Sequence, residues 1–285
     1  MNKKLVLLFG STGMAGHIIY YYLDSTSRYQ ITDVAYRSKL TDNTLIIDVN
    51  NREQVMEVIS QSKPDLIINC IGILIKGSRD YPSNAIFINA YFPHFLKECA
   101  DKVGAKLIHI STDCVFSGKK GSYIEEDFRD ADDVYGRSKA LGEVINEKDL
   151  TLRTSIIGPE LKQEGEGLFH WFMKQSGEIS GYINAIWSGV TTLELAKAID
   201  IAIKQEKTGL IQLSNGFPIN KFALLELFDQ IWKRDILIIP YEGLNIDKSI
   251  KKSSHFEYDV PSYREMLLEL YNWMREHHML YMQYH

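Results

Sequence analysis

Residues 5–23, LVLLFGSTGMAGHIIYYYL, constrain this chain more than any other stretch: an apolar run, glycines at 10, 13 and 16, then an amphipathic helical pattern. Glycine serves a tight turn, close approach of backbone to a pyrophosphate, and packing of helix on strand. The helix start offers unpaired N–H groups to phosphates. A glycine pattern alone is a weak signal, but a strand before it and a helix after it supply the context that gives it meaning. Gly10, Thr12, Gly13 and Met14 are therefore candidate dinucleotide-binding residues.

The strand-then-helix theme recurs along the first half of the chain. Apolar runs predict strands at Lys4–Phe9, Ile31–Ala35, Thr44–Ile47, Leu66–Asn69, Lys106–Ile110 and Leu150–Thr154. Helical periodicity predicts helices at Met14–Leu23, Arg52–Gln61, Ala85–Val103 and Val134–Glu147. Strands that are apolar throughout, without alternation, are covered on both faces. The expected fold class is therefore α/β, a Rossmann-type doubly wound parallel sheet. Past residue 155 the alternation breaks, although a helix at TLELAKAIDIAI and a strand at 209–214 return to the core. The expected domains are a dinucleotide-binding unit, 1–155 with 190–215, and a smaller C-terminal cap for substrate, 156–189 and 216–285. The segment from Phe217 to His285 reads as helical and rich in aromatics.

Composition narrows the classes. The chain has 285 residues, 45% hydrophobic and 24% charged, with a formal net charge of −5, so the basic footprint of a nucleic-acid binder is missing. Cys70, Cys99 and Cys114 lack metal-ligand or redox-motif spacing, which fits a reducing compartment, with cytoplasm the default. The start, MNKKLVLLFG, has the charge and apolar run of a signal peptide's opening, but STGMAG interrupts it, and a buried first strand is the better reading. The longest apolar run, LIINCIGILI at 66–75, is half of the roughly 20 residues a membrane span needs. No membrane span and no nucleic-acid partner are expected.

An NAD binder usually carries an acid about 20 positions after the glycines, at the tip of the second strand, to hold the ribose 2′-OH. Here that strand is followed by Tyr36, Arg37 and Lys39, and Arg37 could meet a 2′-phosphate. NADP(H) is favoured, while Asp33, earlier in the strand, keeps NAD(H) open.

In VYGRSK, residues 134–139, Tyr135 and Lys139 stand at i and i+4 on one helix face, with Asp132 or Asp133 as the N-cap. A phenol's ordinary pKa of about 10 is too high for efficient proton transfer near neutrality. An ammonium about 4 Å away would favour the phenolate by roughly 4 kcal/mol at an effective dielectric near 20, on the order of three pKa units before desolvation opposes it. Thr112, at the carboxyl end of the fifth strand and 23 positions before the tyrosine, could hold a substrate carbonyl.

ISTDCVFSGKKGSYIEEDFRDADDVYGRSKALGE followed by LRTSIIG resembles the dTDP-4-dehydrorhamnose reductase branch of the extended short-chain dehydrogenase/reductases, whose pattern runs S-T-D-x-V-F-x-G, Y-G-x-x-K and G-E. The likeness extends from the glycine turn to about Gly158. It implies Thr112, Tyr135 and Lys139 as the catalytic set, with Tyr135 and Lys139 also touching the cofactor. It implies Asp48 and Val49 over the adenine, and Cys70, Ile71 and Gly72 beside the cofactor. For Asp48, a cap for the helix beginning at Arg52 is the rival reading. Substrate contacts are implied at Leu74, Thr112, Asp113, Cys114, Tyr135 and Trp187.

The activity implied is NADPH-dependent hydride transfer to the C4 ketone of a nucleotide-linked 4-keto-6-deoxyhexose. Cys114 stands where that branch commonly has tyrosine, and Ile156 where it has an aromatic. The hexose and the nucleotide, dTDP or UDP, therefore stay open, and the branch acting on UDP-linked N-acetylated 4-keto-6-deoxy sugars is one home. An NAD-dependent sugar-nucleotide epimerase and a non-catalytic NADP-binding regulatory subunit are the competing functions. Intact Thr112, Tyr135 and Lys139 argue against the second.

The remaining chemistry-bearing residues read blandly. Cys114 and His109 read as packed residues, and His170 with Trp171 as packing near the sugar nucleotide. His277 and His278 lack the spacing of a metal pair, so no metal is expected. The run EEDFRDADD reads as a solvated loop, and the C-terminal YNWMREHHMLYMQYH as helix packing or the contact of a homodimer.

Overall fold

The computed structural model describes residues 3–284. Met1, Asn2 and His285, which belong to the charged start and to the C-terminal aromatic stretch, lie outside the described residues. In chain order the first half comprises β1 (Lys4–Phe9), α1 (Gly16–Ser25), β2 (Tyr29–Ala35), β3 (Leu45–Ile46), α2 (Arg52–Ser62), β4 (Leu66–Asn69), α3 (Ile75–Asp80), α4 (Pro82–Ala85), a π-helical turn (Ile86–Tyr91), α5 (Phe92–Val103), β5 (Lys106–Thr112), α6 (Val134–Leu141) and β6 (Leu150–Thr154). The second half comprises β7 (Ile156–Ile157), α7 (Leu168–Met173), β8 (Glu178–Tyr182), β9 (Ala185–Trp187), β10 (Val190–Thr191), α8 (Thr192–Lys204), β11 (Gly209–Gln212), β12 (Ile219–Asn220), α9 (Lys221–Trp232), β13 (Leu237–Tyr241), β14 (Ile246–Asp247) and α10 (Tyr263–Glu276).

Seven strands form one parallel sheet in the order β11-β6-β5-β4-β1-β2-β3. The apolar strands are buried as their composition predicts. Along β1, Val6 and Leu8 enter one hydrophobic cluster with α1 and α8, while Leu7 and Phe9 enter another with α2 and α5. β4 and β5 divide likewise, Ile68 and Ile108 to one face, Ile67 and Leu107 to the other. Side chains alternate across a strand, so only a sheet covered twice can bury all of them. The chain reverses its winding between β1 and β4, and the cleft outside the carboxyl ends of the strands opens there.

Several expectations need correction. The helix drawn over 134–147 stops at Leu141, because Glu143 turns inward to the buried Arg153. The helix drawn over 85–103 is broken by the π-helical turn, which lets Asn89 leave the helix pattern and hold Ile73 through two 2.9 Å hydrogen bonds. The first helix begins at Gly16 instead of Met14, leaving Met14 in the turn. The segment after Phe217 is not only helical: β12, β13 and β14 pair with β9 and β8, far apart in sequence. α9 and α10 pack beside these short sheets over an aromatic cluster in which the rings of Phe169 and Trp232 lie 4.7 Å apart.

Candidate active site

The turn after β1 is built by backbone proximity. Gly10 has φ +86°, a left-handed conformation that suits glycine, and a Cβ on Gly16 would lie 2.1 Å from the Gly10 carbonyl oxygen. Gly10 N and Ser11 N donate to the Val34 carbonyl at 2.9 and 3.1 Å, fixing the turn against β2. The amino end of α1 thus faces the cleft with its first N–H groups free of side-chain caps, a cradle shaped for a diphosphate.

The cleft holds about 580 Å³ and is lined by Thr12, Gly13 and Met14 on one wall, Cys70, Ile71, Gly72 and Leu74 on the next, and Thr112, Asp113, Cys114, Tyr135 and Lys139 on its floor. Trp187 and Lys221 close the end formed by the later segments. The structure therefore brings together Thr12, Gly13 and Met14 of the turn, the expected residues of the β4 end and the catalytic set, while Gly10 does not line the cleft and packs against Cys70 and Ile71. Arg37, Asp48 and Val49 lie elsewhere, past the ends of β2 and β3, on the side of the turn away from Tyr135. Arg37 is exposed, its guanidinium 4.8 Å from the Tyr36 ring centre, and Val49 is buried. Asp48 does not cap α2. It accepts from Asn50 N at 3.0 Å, while Asn51 caps the helix by accepting from Gln54 N. Asp33 is buried with Oδ2 unpartnered among the described residues, beneath the turn instead of at the strand tip.

α6 delivers the tyrosine and lysine. Asp133 is its N-cap, accepting from Gly136 N at 2.8 Å. A Cβ at Gly136 would fall 2.2 Å from the Cys114 carbonyl oxygen, so the absence of a side chain lets α6 lie directly on the Thr112–Val115 turn. Tyr135, half-buried, and Thr112 are thereby neighbours. Thr112 Oγ1 accepts from Cys114 N and donates to Asp113 Oδ1, both at 3.1 Å.

The expected action of Lys139 on the phenol is not found. Burial pushes Tyr135 above the ordinary tyrosine value, Cys114 and the Asp113 and Asp133 carboxylates add to the rise, and the Thr112 hydroxyl opposes it. The Lys139 ammonium donates to the Ile110 carbonyl at 2.6 Å, with His109 Nε2 3.4 Å away. A buried ammonium takes the nearest strong acceptor, here a main-chain carbonyl, and a phenol that keeps its proton offers less. Burial lowers Lys139 to about 8, against the pull of Glu143 and Cys70. His109, hydrogen-bonded through Nδ1 to Asn69 at 3.1 Å, is held neutral by burial. It is a packed residue, as expected.

Cys114 is no nucleophile: burial pushes its thiol up to about 12. His170 is buried and bonded through Nδ1 to the Tyr284 hydroxyl at 2.6 Å, away from the cleft, whereas Trp171 is exposed. The acidic run is more than a solvated loop. Asp130 accepts from Ser117 N and Oγ, Asp127 pairs with Lys120, and Arg129 reaches Glu143 at 2.9 Å.

Four contributors escaped the sequence reading. Asn89, inside a helical pattern, ties Ile73 to Ser138 of α6. Glu143 and Arg153 have fully buried side chains paired at 2.8 Å through Arg153 Nε and Nη2, and Glu143 also accepts from Ser111 Oγ and so anchors β5 just before Thr112. Lys221 reads in sequence as the polar start of an ordinary helix. Only the pairing of β12 with β9 carries it to the cleft.

A family model described as the RmlD substrate binding domain matches residues 3–176. The chain is 30% identical over 156 residues to a dTDP-4-dehydrorhamnose reductase of Aggregatibacter actinomycetemcomitans, covering 53% of this chain and 50% of that one. It is 33% identical over 158 residues to the dTDP-4-dehydrorhamnose reductase of Shigella flexneri, covering 53% and 51%. The chain thus spans about half the length of these curated relatives. Among solved structures, a Bacillus anthracis dTDP-4-dehydrorhamnose reductase in complex with NADP superposes with a TM-score of 0.81 at 24% identity, covering 95% and 99% of the two chains. A Thermotoga maritima UDP-glucose 4-epimerase does so at 0.78 and 19%, covering 96% and 99%. At such identities the shared feature is the fold.

Proposed function

We propose, since the chain belongs to the family of the RmlD substrate binding domain, that it is an NADPH-dependent reductase of the C4 ketone of a nucleotide-linked 4-keto-6-deoxyhexose. The reading is carried by one observation: Thr112 and Tyr135 meet in a cleft that also contains the glycine-built cradle. The curated relatives named as dTDP-4-dehydrorhamnose reductases support it. Segments 156–189 and 216–285 act as the substrate-binding cap. Gly10, Thr12, Gly13 and Met14 with the start of α1 hold the diphosphate of the cofactor, Cys70–Gly72 flank it, and Asp48 and Val49 lie toward the adenine. Arg37, exposed past β2, favours a 2′-phosphate, and buried Asp33 leaves no carboxylate at the strand tip to repel it.

NADPH supplies the two electrons and one hydrogen of the reduction; the protein supplies the proton. Tyr135, protonated because its surroundings raise its pKa, donates Oη–H to the ketone oxygen as negative charge develops there. Thr112 donates a second hydrogen bond to the same oxygen, exchanging its present bond to Asp113. Lys139, whose ammonium donates to the Ile110 carbonyl, would hold the nicotinamide ribose when the cofactor binds. Asp113, Cys114, Leu74 and Trp187 contact the sugar. Mixing the purified protein with NADPH and a panel of dTDP- and UDP-linked 4-keto-6-deoxyhexoses should give absorbance loss at the reduced-nicotinamide band with at least one member. No oxidation with any of them contradicts the proposal.

A further inference from the structure

We propose that Lys221 is a substrate-binding residue of this cleft, its ammonium donating hydrogen bonds to an uncharged oxygen, hydroxyl or acyl carbonyl, on the hexose. The inference rests on the proposed function and deepens it, since Lys221 would then help decide which hexose is accepted.

Its position is imposed by structure. Ile219 of β12 pairs with Trp187 of β9, and Asn220 caps α9 by accepting from Ala223 N at 2.8 Å. Lys221 is therefore locked as the first residue of α9, with its ammonium 5.0 Å from the Trp187 ring centre. It lines the same cleft as Thr112 and Tyr135, and both Lys221 and Tyr135 feel the charge of Asp113. The lysine and the phenol thus border the Asp113 turn in one cleft.

The placement is unfavourable for a merely structural lysine. A cation in the first turn opposes the positive end of the helix dipole, and α9 has no acid in that turn to offset it. Lys221 is half-buried, and partial loss of water around its ammonium lowers it to about 8. Among the described residues it forms no salt bridge or hydrogen bond; Asp113 acts on it only through charge. An ammonium has three donors and no acceptor, so donors without protein partners at a cleft wall call for a ligand oxygen. Asp113 provides a countercharge that Lys221 shares with Lys248, and a carboxylate or phosphate there would have to sit beside that buried carboxylate. A neutral oxygen satisfies the ammonium without that repulsion, while the Trp187 ring offers an apolar plate to the sugar face.

The test compares wild type, Lys221→Met and Lys221→Arg with NADPH and whichever panel sugar nucleotide wild type reduces best. Lys221→Met should raise KM for the sugar nucleotide about ten- to a hundredfold, the worth of a hydrogen bond from a charged donor, with KM for NADPH unchanged. Lys221→Arg should recover part of that loss, and retained stabilisation by NADPH shows that both variants fold. An unchanged sugar-nucleotide KM, or a loss confined to kcat, overturns the assignment. If wild type reduces nothing, the reductase reading fails separately. Calorimetric titration with the same sugar nucleotides then decides Lys221: weaker binding by Lys221→Met supports it, and equal behaviour, including no binding by either protein, overturns it.

Discussion

Tyr135 and Lys139 were legible as a pair from their four-residue spacing, but their electrostatics were not. Spacing placed both side chains on one helix face, whereas the direction of the ammonium depends on the Ile110 carbonyl, which lies on β5. The outcome is a buried cation whose folded-state value, about 8, is below the ordinary lysine value. Below pH 8 the folded protein bears the full cost of burying that charge. Between pH 8 and about 10.5 it sheds the proton while the unfolded chain keeps it, so the cost fades as pH rises. Lys139→Met without dinucleotide should therefore be more stable than wild type at pH 7, by on the order of 1–3 kcal/mol, and the gain should shrink toward pH 10. Urea unfolding at both pH values measures it. An equal difference at both would contradict a charged buried Lys139, and the same variant should lack reductase activity.

At the level of elements, the glycine turn and the strands of the sheet were readable because both signals are local: continuous apolar runs for strands buried on two faces, and a turn that excludes side chains. α6 was overdrawn because periodicity continues past Leu141, while the energy lies in a non-local ion pair. Glu143 leaves the helix to meet Arg153 of β6, and their side chains are 0% and 1% exposed. α3 was missed because IKGSRD carries no apolar period. Arg129 and Ser111 complete the Glu143 network, and although burial favours its protonated form, Arg153, Ser111 and Arg129 hold its carboxyl below the usual range. Glu143→Ala strands a buried guanidinium and should cost about 3–5 kcal/mol in chemical denaturation. A loss under about 1 kcal/mol would mean that the pair contributes little to holding β5 and α6 together.

For the whole molecule, the sequence specified a doubly wound sheet with a smaller second group of elements, and the sheet is present in full. The second group was poorly legible because its strands are two to five residues long and pair across wide sequence gaps, β8 with β13 and β9 with β12 and β14. That group nevertheless completes the cleft, through Trp187 and Lys221, and the chain end clamps it: the Tyr281 hydroxyl lies 3.0 Å from His17 Nε2, and the Tyr284 hydroxyl accepts from Glu160 N at 2.9 Å. A fold shared with an epimerase cannot choose the reaction, so the chemistry of one side chain must. The direct measurement is Tyr135→Phe, assayed for NADPH-dependent ketone reduction alongside thermal unfolding with and without NADPH. A fall in kcat of about 10²–10⁴, with the NADPH-induced rise in Tm retained, is the result predicted for a phenol that gives up its proton. Turnover at the wild-type rate in the variant would contradict it.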